Sequence, residues 1–171
     1  MKPSIDDVVL RYFVAFGPAS VADVAAWSGL TGMREVVERL RPQLRPFHDG
    51  NAHELFDLPA APRPETPAPP RFLPEYDNVF LGYADRSRFM SEERRLQLYT
   101  ARRPVRGSVL HDGVGKGTWW LDPSGDRVTL EVNFVGRLTK KATSAIGREG
   151  RRLLGLLAPE RAHDVRFAAL D

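Results

Sequence analysis

The sequence predicts an α+β fold, and three patterns predict it. Residues 1–58 read as three short helices followed by two short strands, residues 107–134 divide into three strands at short turns, and residues 138–157 carry apolar side chains at helical spacing. The chain has 171 residues, of which 42% are hydrophobic, so it can build a packed core. It has no cysteine, which excludes disulfide scaffolds, thiolate metal sites and thiol catalysis.

The first 58 residues predict a winged helix domain. The first helix ends at Gly17-Pro18, and Ser20 with Asp23 three residues later is typical of the cap of a second helix. In this order of elements the second and third helices form a helix-turn-helix and the two strands form the wing. Any small helical domain with a trailing hairpin is the alternative. The predicted segments are 5–16, 20–28, 31–42, 44–47 and 54–58.

A proline-rich linker is predicted over residues 59–71. It holds six prolines in 13 residues, and such a stretch favours an extended backbone without a regular hydrogen-bond ladder. The chain is therefore divided here into two halves.

Residues 72–171 predict an α+β domain with a small antiparallel β-meander and a long basic helix. Ser91 is a helix cap, and Asp112-Gly113 is a two-residue hairpin turn. Val128 to Phe134 alternates apolar and polar side chains. The predicted helices are 92–100 and 138–157, and the predicted strands are 107–111, 114–121, 128–134 and 163–170.

Charge is distributed unevenly between the halves. The formal net charge is +3; it divides into −2 for residues 1–58, +1 for residues 59–71 and +4 for residues 72–171. In the third helix Arg34 is the candidate DNA contact, but Glu35 and Glu38 lie beside it and oppose phosphate. The basic residues of the second half are therefore the stronger candidates for a DNA-binding surface.

The second half carries its cations in two places. Arg86 and Arg88 belong to an arginine-rich segment over residues 86–106. The other group falls within about 60° of one line on the long helix, if each residue turns by about 100°. Its members are Arg137, Lys140, Lys141, Arg148, Arg151 and Arg152. Such a stripe is either a solvated helix face or a face that contacts the phosphates of double-stranded DNA.

Two stretches resemble a known family. The segment FLPEYDNVFLGYADRSRF at 72–89 and the segment HDGVGKGTWWL at 111–121, together with the helix-turn-helix, are similar to the bacterial winged helix DNA-binding domain family that includes the alkylpurine and interstrand-crosslink DNA glycosylases. The resemblance covers nearly the whole chain. Because members are about twice as long, it implies that this chain corresponds to a member's C-terminal half.

The resemblance also implies where catalytic residues would be expected. Glycosylase members carry two glutamines, or a glutamine and an aspartate, around one residue, and a His-apolar-Arg motif. The glutamines here, Gln43 and Gln97, have no such partner, and each histidine precedes an acidic residue. We therefore expect a non-catalytic DNA-binding protein. The alternatives are a truncated glycosylase-like repair protein that needs a missing N-terminal half, and a protein-interaction module that docks a partner through its acidic winged helix.

Other chemistry lacks a signature. The run from Gly113 to Thr118 resembles a phosphate-binding loop but has the wrong spacing, and no histidine or carboxylate spacing indicates a metal site. Cofactors and metals are therefore not expected. Apolar runs are too short for a membrane span, and an apolar signal region is not visible, so we expect a cytoplasmic protein.

Overall fold

The computed structural model describes residues 4–63, 65–99 and 104–170. Two compact units divide the chain. The first unit comprises Met1–Glu65 and Asn78–Asp85, and the second comprises Thr66–Asp77 and Arg86–Asp171. The chain therefore crosses between the units three times. The predicted division at the proline-rich stretch differs from this one, because residues 78–85 belong to the first unit.

The first unit contains the predicted order of three helices and a hairpin. Strands β1 and β2 pair antiparallel, with Arg45 opposite Asp57 and His48 opposite Glu54. The interpretation of this order as a winged helix stays a prediction. The elements are α1 (Ile5–Phe16), α2 (Val21–Ser28), α3 (Met33–Leu40), β1 (Arg45–His48), β2 (Glu54–Asp57) and, after the crossing, α4 (Asn78–Leu81).

Capping residues fix where the first two helices begin. Ser4 with Asp7 and Ser20 with Asp23 form capping boxes, in which each serine hydroxyl accepts from a backbone N–H three residues later. The box predicted at Ser20 is therefore confirmed. Gly29 follows α2 with φ of 67°, a left-handed conformation that ends the helix.

Residues 78–85 complete the first unit from a distant part of the sequence. The hydroxyl of Tyr12 donates to the carbonyl of Gly82 at 2.8 Å, and the hydroxyl of Tyr83 donates to the carbonyl of Phe16 at 2.8 Å. The buried carboxylate of Asp23 also accepts from the backbone N–H of Ala84 at 2.8 Å. These bonds place residues 78–85 against α1 and α2.

The second unit contains a mixed five-stranded sheet in the order β3-β4-β5-β6-β7. Strands β3 to β6 are antiparallel, and β7 is parallel to β6 because α6 carries the chain back between them. The three predicted strands of the antiparallel meander and the predicted last strand are therefore present, whereas β3 and the parallel pairing of β7 were not predicted. The elements are β3 (Arg71–Leu73), α5 (Glu92–Leu98), β4 (Gly107–His111), β5 (Val114–Asp122), β6 (Arg127–Val135), α6 (Lys140–Leu157) and β7 (Ala162–Leu170).

The core of this unit lies between the sheet and α6. Leu130 of β6 and Ile146 of α6 are fully buried in it. At the β4–β5 turn, Asp112 and Gly113 have φ of 53° and 71°, as the predicted two-residue turn requires. Trp119 packs against the core and donates to the carbonyl of Leu73 at 2.8 Å.

The proline-rich stretch is divided between the units. Arg63 donates to the buried carboxylate of Asp57 at 2.9 Å, within the first unit. Ala68 accepts from the backbone N–H of Asp112 at 3.1 Å, within the second unit, and β3 begins at Arg71. Both ends of the predicted linker are thus held by hydrogen bonds to their own unit.

Candidate nucleic-acid interface

Helix α6 presents one buried side and one cationic side. The buried side consists of apolar and small residues: Ala142, Ile146, Gly147, Gly150 and Leu154. On the other side the five cations of the helix are exposed, and Arg137 is exposed just before it. We call the set Arg137, Lys140, Lys141, Arg148, Arg151 and Arg152 the cationic face. The helical spacing therefore predicted the exposure of all six side chains.

The start of α6 is strongly positive. Thr139 caps the helix by accepting from the N–H of Ala142 at 3.1 Å, and its first turn contains lysines and no acidic residue. Because the amino end of a helix already carries partial positive charge, cations there are unfavourable in the free protein. A phosphate group at this end would relieve that repulsion.

Glu149 is the one carboxylate of α6, and it lies at the edge of the cationic face. It accepts from Arg152 at 3.0 Å and stands 4.0 Å from Arg71 of β3. Within the described part of the chain the other five members of the face have no carboxylate within ion-pair distance. The three-residue spacing from Glu149 to Arg152 is a signal in the sequence for their ion pair, whereas no spacing indicates the contact with Arg71.

The described arginines of the arginine-rich segment contact groups close to them. Arg86 is half-buried, and its carbonyl accepts from the N–H groups of Phe89 and Met90 at 2.9 and 3.0 Å. Arg88 is exposed and lies 5.8 Å from the ring centroid of Phe89. Other arginines of the segment also have local partners: Arg94 donates to the carbonyl of Gly115, Arg95 pairs with Glu92, and Arg106 lies over Trp120. Arg102 and Arg103 lie outside the described residues.

One of the two cations of α3, and the arginine that directly follows the helix, form ion pairs with carboxylates. Arg39 donates to Asp6 of α1, and Arg41, just after α3, pairs with Glu38 at 2.7 Å and Glu54 at 2.8 Å. The hydrogen bonds from Arg41 lower the pKa of both glutamates, so they remain charged. Among the described residues exposed Arg34 has no carboxylate within ion-pair distance, although its charge contributes to the lowered pKa of Glu38.

The β1–β2 turn also lacks a cationic surface. Asp49 accepts from the backbone N–H groups of Asn51 and His53, each at 2.8 Å, and its carboxylate pairs with the His53 ring. Both N–H bonds lower the pKa of Asp49, and the bond from His53 has the larger effect. The tip of the hairpin therefore presents a charged carboxylate where a phosphate-binding wing would need a cation.

The division into units sharpens the charge contrast. Seven basic and ten acidic residues give the first unit a formal charge of −3, and eighteen basic and twelve acidic residues give the second unit +6. Phosphate attraction is therefore concentrated in the second unit.

Features that would indicate other chemistry are few. Gln43 follows α3 and Gln97 lies in α5; both are exposed, and they lie in different units. The described residues contain no group of three or more histidines or carboxylates placed to hold a metal ion. Among the same residues, no helix is long and apolar enough to cross a membrane.

The comparisons with known proteins identify the family. Residues 2–156 match the model of the family described as DNA glycosylase AlkZ-like. The chain therefore belongs to the AlkZ-like DNA glycosylase family, which confirms at the level of the family the resemblance found in the sequence.

A solved structure shares the fold. The Streptomyces sahachiroi DNA glycosylase AlkZ superimposes with a TM-score of 0.72 at 21% sequence identity, over 98% of this chain and 47% of that one. The chain thus spans about half the length of the structure it matches. No curated protein matches it. The correspondence to a member's C-terminal half stays a prediction.

Proposed function

We propose that this chain binds double-stranded DNA without catalysing a reaction on it, through the cationic face of α6. The observation that carries the proposal is the set of five exposed cations, from Arg137 to Arg151, that have no carboxylate partner among the described residues. Like charges at neighbouring helical positions repel, and an ordinary solvated face relieves this with interspersed acids. Phosphates would supply the missing negative charge.

Helix α3 is the competing surface, and its charges argue against it. Arg39 and Arg41 are already neutralised by carboxylates, so Arg34 is left beside Glu35 and Glu38. A helix that reads the major groove needs net positive charge to approach the duplex. We propose that the first unit is a winged helix domain, supported by its order of elements, whose third helix is not the principal DNA contact.

Charge reversal separates the two surfaces. We expect the double variant Lys141→Glu/Arg148→Glu to lose most of the affinity for a mixed-sequence duplex in fluorescence anisotropy. The matched control is Arg11→Glu/Arg34→Glu, which changes net charge equally on exposed positions of the first unit. Wild-type affinity in the first variant, or an equal loss in the second, would contradict the proposal.

A second candidate function follows from the family and the length. The family is one of DNA glycosylases, and the chain covers 47% of the matched enzyme, so a glycosylase-like role together with a separate segment is the alternative. This alternative predicts base excision only when such a segment is supplied.

A third candidate function is that of a protein-interaction module. It is supported by the negative formal charge of the first unit, which could bind a partner protein.

A further inference from the structure

We propose that Arg71 of β3 belongs to the DNA-binding surface, and that Glu149 weakens the affinity of this surface by competing with phosphate for Arg71 and Arg152. The inference rests on the proposed function of the cationic face. It adds a strand residue to a surface that otherwise consists of residues of α6 and Arg137, and it assigns a role to the one carboxylate of α6.

The contacts join the strand to the helix. Oε2 of Glu149 accepts from Nη1 of Arg152 at 3.0 Å, and Oε1 of Glu149 stands 4.0 Å from Nη1 of Arg71, which also donates to the carbonyl of Pro70 at 2.9 Å. The side chain of Glu149 is 26% exposed, whereas those of Arg71 and Arg152 are 55% and 79% exposed. The side chain of Glu149 is thus partly enclosed, and both arginine side chains are considerably more exposed than it is.

The position of Arg71 follows from the packing of α6. Gly150 touches Phe72 of β3, because the place of its absent Cβ lies 3.4 Å from that ring. The edge strand therefore runs beside the middle of the helix, where Arg148, Arg151 and Arg152 are exposed. Arg71, the first residue of this strand, extends the positive surface sideways from α6.

Glu149 can affect DNA binding in two opposite ways, by holding an arginine in place and by repelling phosphate. As an anchor it would hold Arg152 in place, but a pair at this exposure and spacing stabilises very little. As a charge it repels every phosphate that approaches either arginine, and it occupies a donor of Arg152 that phosphate needs. The repulsive effect is therefore the larger, and removal of the charge should tighten binding.

The experiment compares two pairs of variants on one duplex probe by anisotropy at several salt concentrations. Glu149→Gln keeps the shape of the side chain and removes its charge; its control, Glu160→Gln, makes the same change in net charge beyond the end of α6. Arg71→Ala is matched by Arg127→Ala, which also removes an exposed arginine at the start of a strand. The antiparallel pairing from β3 to β6 puts these two residues at opposite ends of the sheet.

We expect Glu149→Gln to bind about two- to fivefold more tightly than wild type, the size of effect of one exposed pair, and Glu160→Gln to stay near wild type. Arg71→Ala should lose a similar factor and reduce the slope of log K against log salt by about 0.9, whereas Arg127→Ala should not. Unchanged or weaker binding by Glu149→Gln, or equal effects of the two arginine variants, would overturn the inference. Retained affinity in Lys141→Glu/Arg148→Glu would instead overturn the proposed function, so the two failures are distinguishable.

Discussion

Gly150 of α6 lies directly against Leu130 of β6: a Cβ at position 150 would stand 2.7 Å from Cδ2 of Leu130. The same Cβ would lie 3.4 Å from Phe72 of β3 and 3.6 Å from Val165 of β7, the two edge strands of the sheet. Side chains from both edge strands and from β6 thus meet at this one glycine. Close packing here holds the cationic face on the outer side of α6.

This packing predicts opposite effects for two glycines of one helix. Gly150→Ala should lower the free energy of unfolding by about 1–2 kcal/mol, because overpacking a buried site exceeds the gain in helix propensity. Gly155→Ala, where nothing lies within 4 Å of the added methyl group, should raise it by about 0.5–1 kcal/mol. Urea denaturation of both variants measures the difference. Equal effects would show that the helix does not approach the sheet as described.

Salt dependence counts the phosphates that the cationic face contacts. If all five cations without a carboxylate partner among the described residues met phosphates, log K would fall with log salt at a slope of about −4.5. Because the helix is straight and the duplex backbone curves, we expect about −2 to −4 by the same rule. Titrations over a range of salt concentrations give the slope. A slope near zero would contradict phosphate binding by this face.

The two capping boxes of the first unit should differ in their importance. The buried carboxylate of Asp23 accepts from the N–H and hydroxyl of Ser20 and from the N–H groups of Ala84 and Asp85. Asp23→Ala should therefore cost about 2–4 kcal/mol, since it removes the buried acceptor that several part-buried donors share. Asp7→Ala, in the exposed box of α1, should cost about 0.5–1 kcal/mol. Thermal unfolding of both variants measures these losses of stability. Equal losses in Asp23→Ala and Asp7→Ala would show that residues 84–85 do not bond to Asp23.

The Arg41 ion pairs predict a dependence on pH. Arg41 lowers the pKa of Glu38 and Glu54, so their contribution to stability is full above the ordinary glutamate pKa and is lost as pH falls through the lowered values. In the variant Arg41→Ala the pKa values of Glu38 and Glu54 should rise. The variant should be less stable than the wild type near neutral pH, and the two should become similar in acid, where both glutamates are protonated. NMR titration of the carboxyl carbons measures this directly. Unchanged pKa values would mean that the pairs do not persist in solution.

Base excision is expected to be absent from this chain alone. The glutamine and histidine motifs that the family resemblance led us to expect are missing, and Gln43 and Gln97 lie in different units. An extruded base needs a positioned catalytic group after the cost of unstacking has been met. Alkylated or crosslinked duplex incubated with the pure protein should therefore accumulate no abasic sites. Their appearance, above a mock preparation, would contradict the non-catalytic interpretation.

Local signals predicted much of this structure, and distant contacts account for what they missed. Ser20 and the Asp112-Gly113 turn act through their immediate neighbours, and the cationic face follows from helical spacing alone. Residues 78–85 carry no such signal, because their place is set by side chains more than 60 positions away in sequence, as the bond from Tyr12 to Gly82 illustrates. The contact between Arg71 and Glu149 likewise depends on how α6 crosses β3, which spacing along the chain does not encode.

The return of residues 78–85 to the first unit has a consequence for how the protein is made. A nascent chain that has emerged only to the proline-rich stretch lacks the backbone groups that bond to Tyr12, Phe16 and Asp23. Strand β3 emerges next, and its partner β4 follows more than 30 residues later. On the ribosome the first unit therefore needs a segment that is synthesised after the second unit has begun, and this unit cannot be completed before Asp85 has emerged.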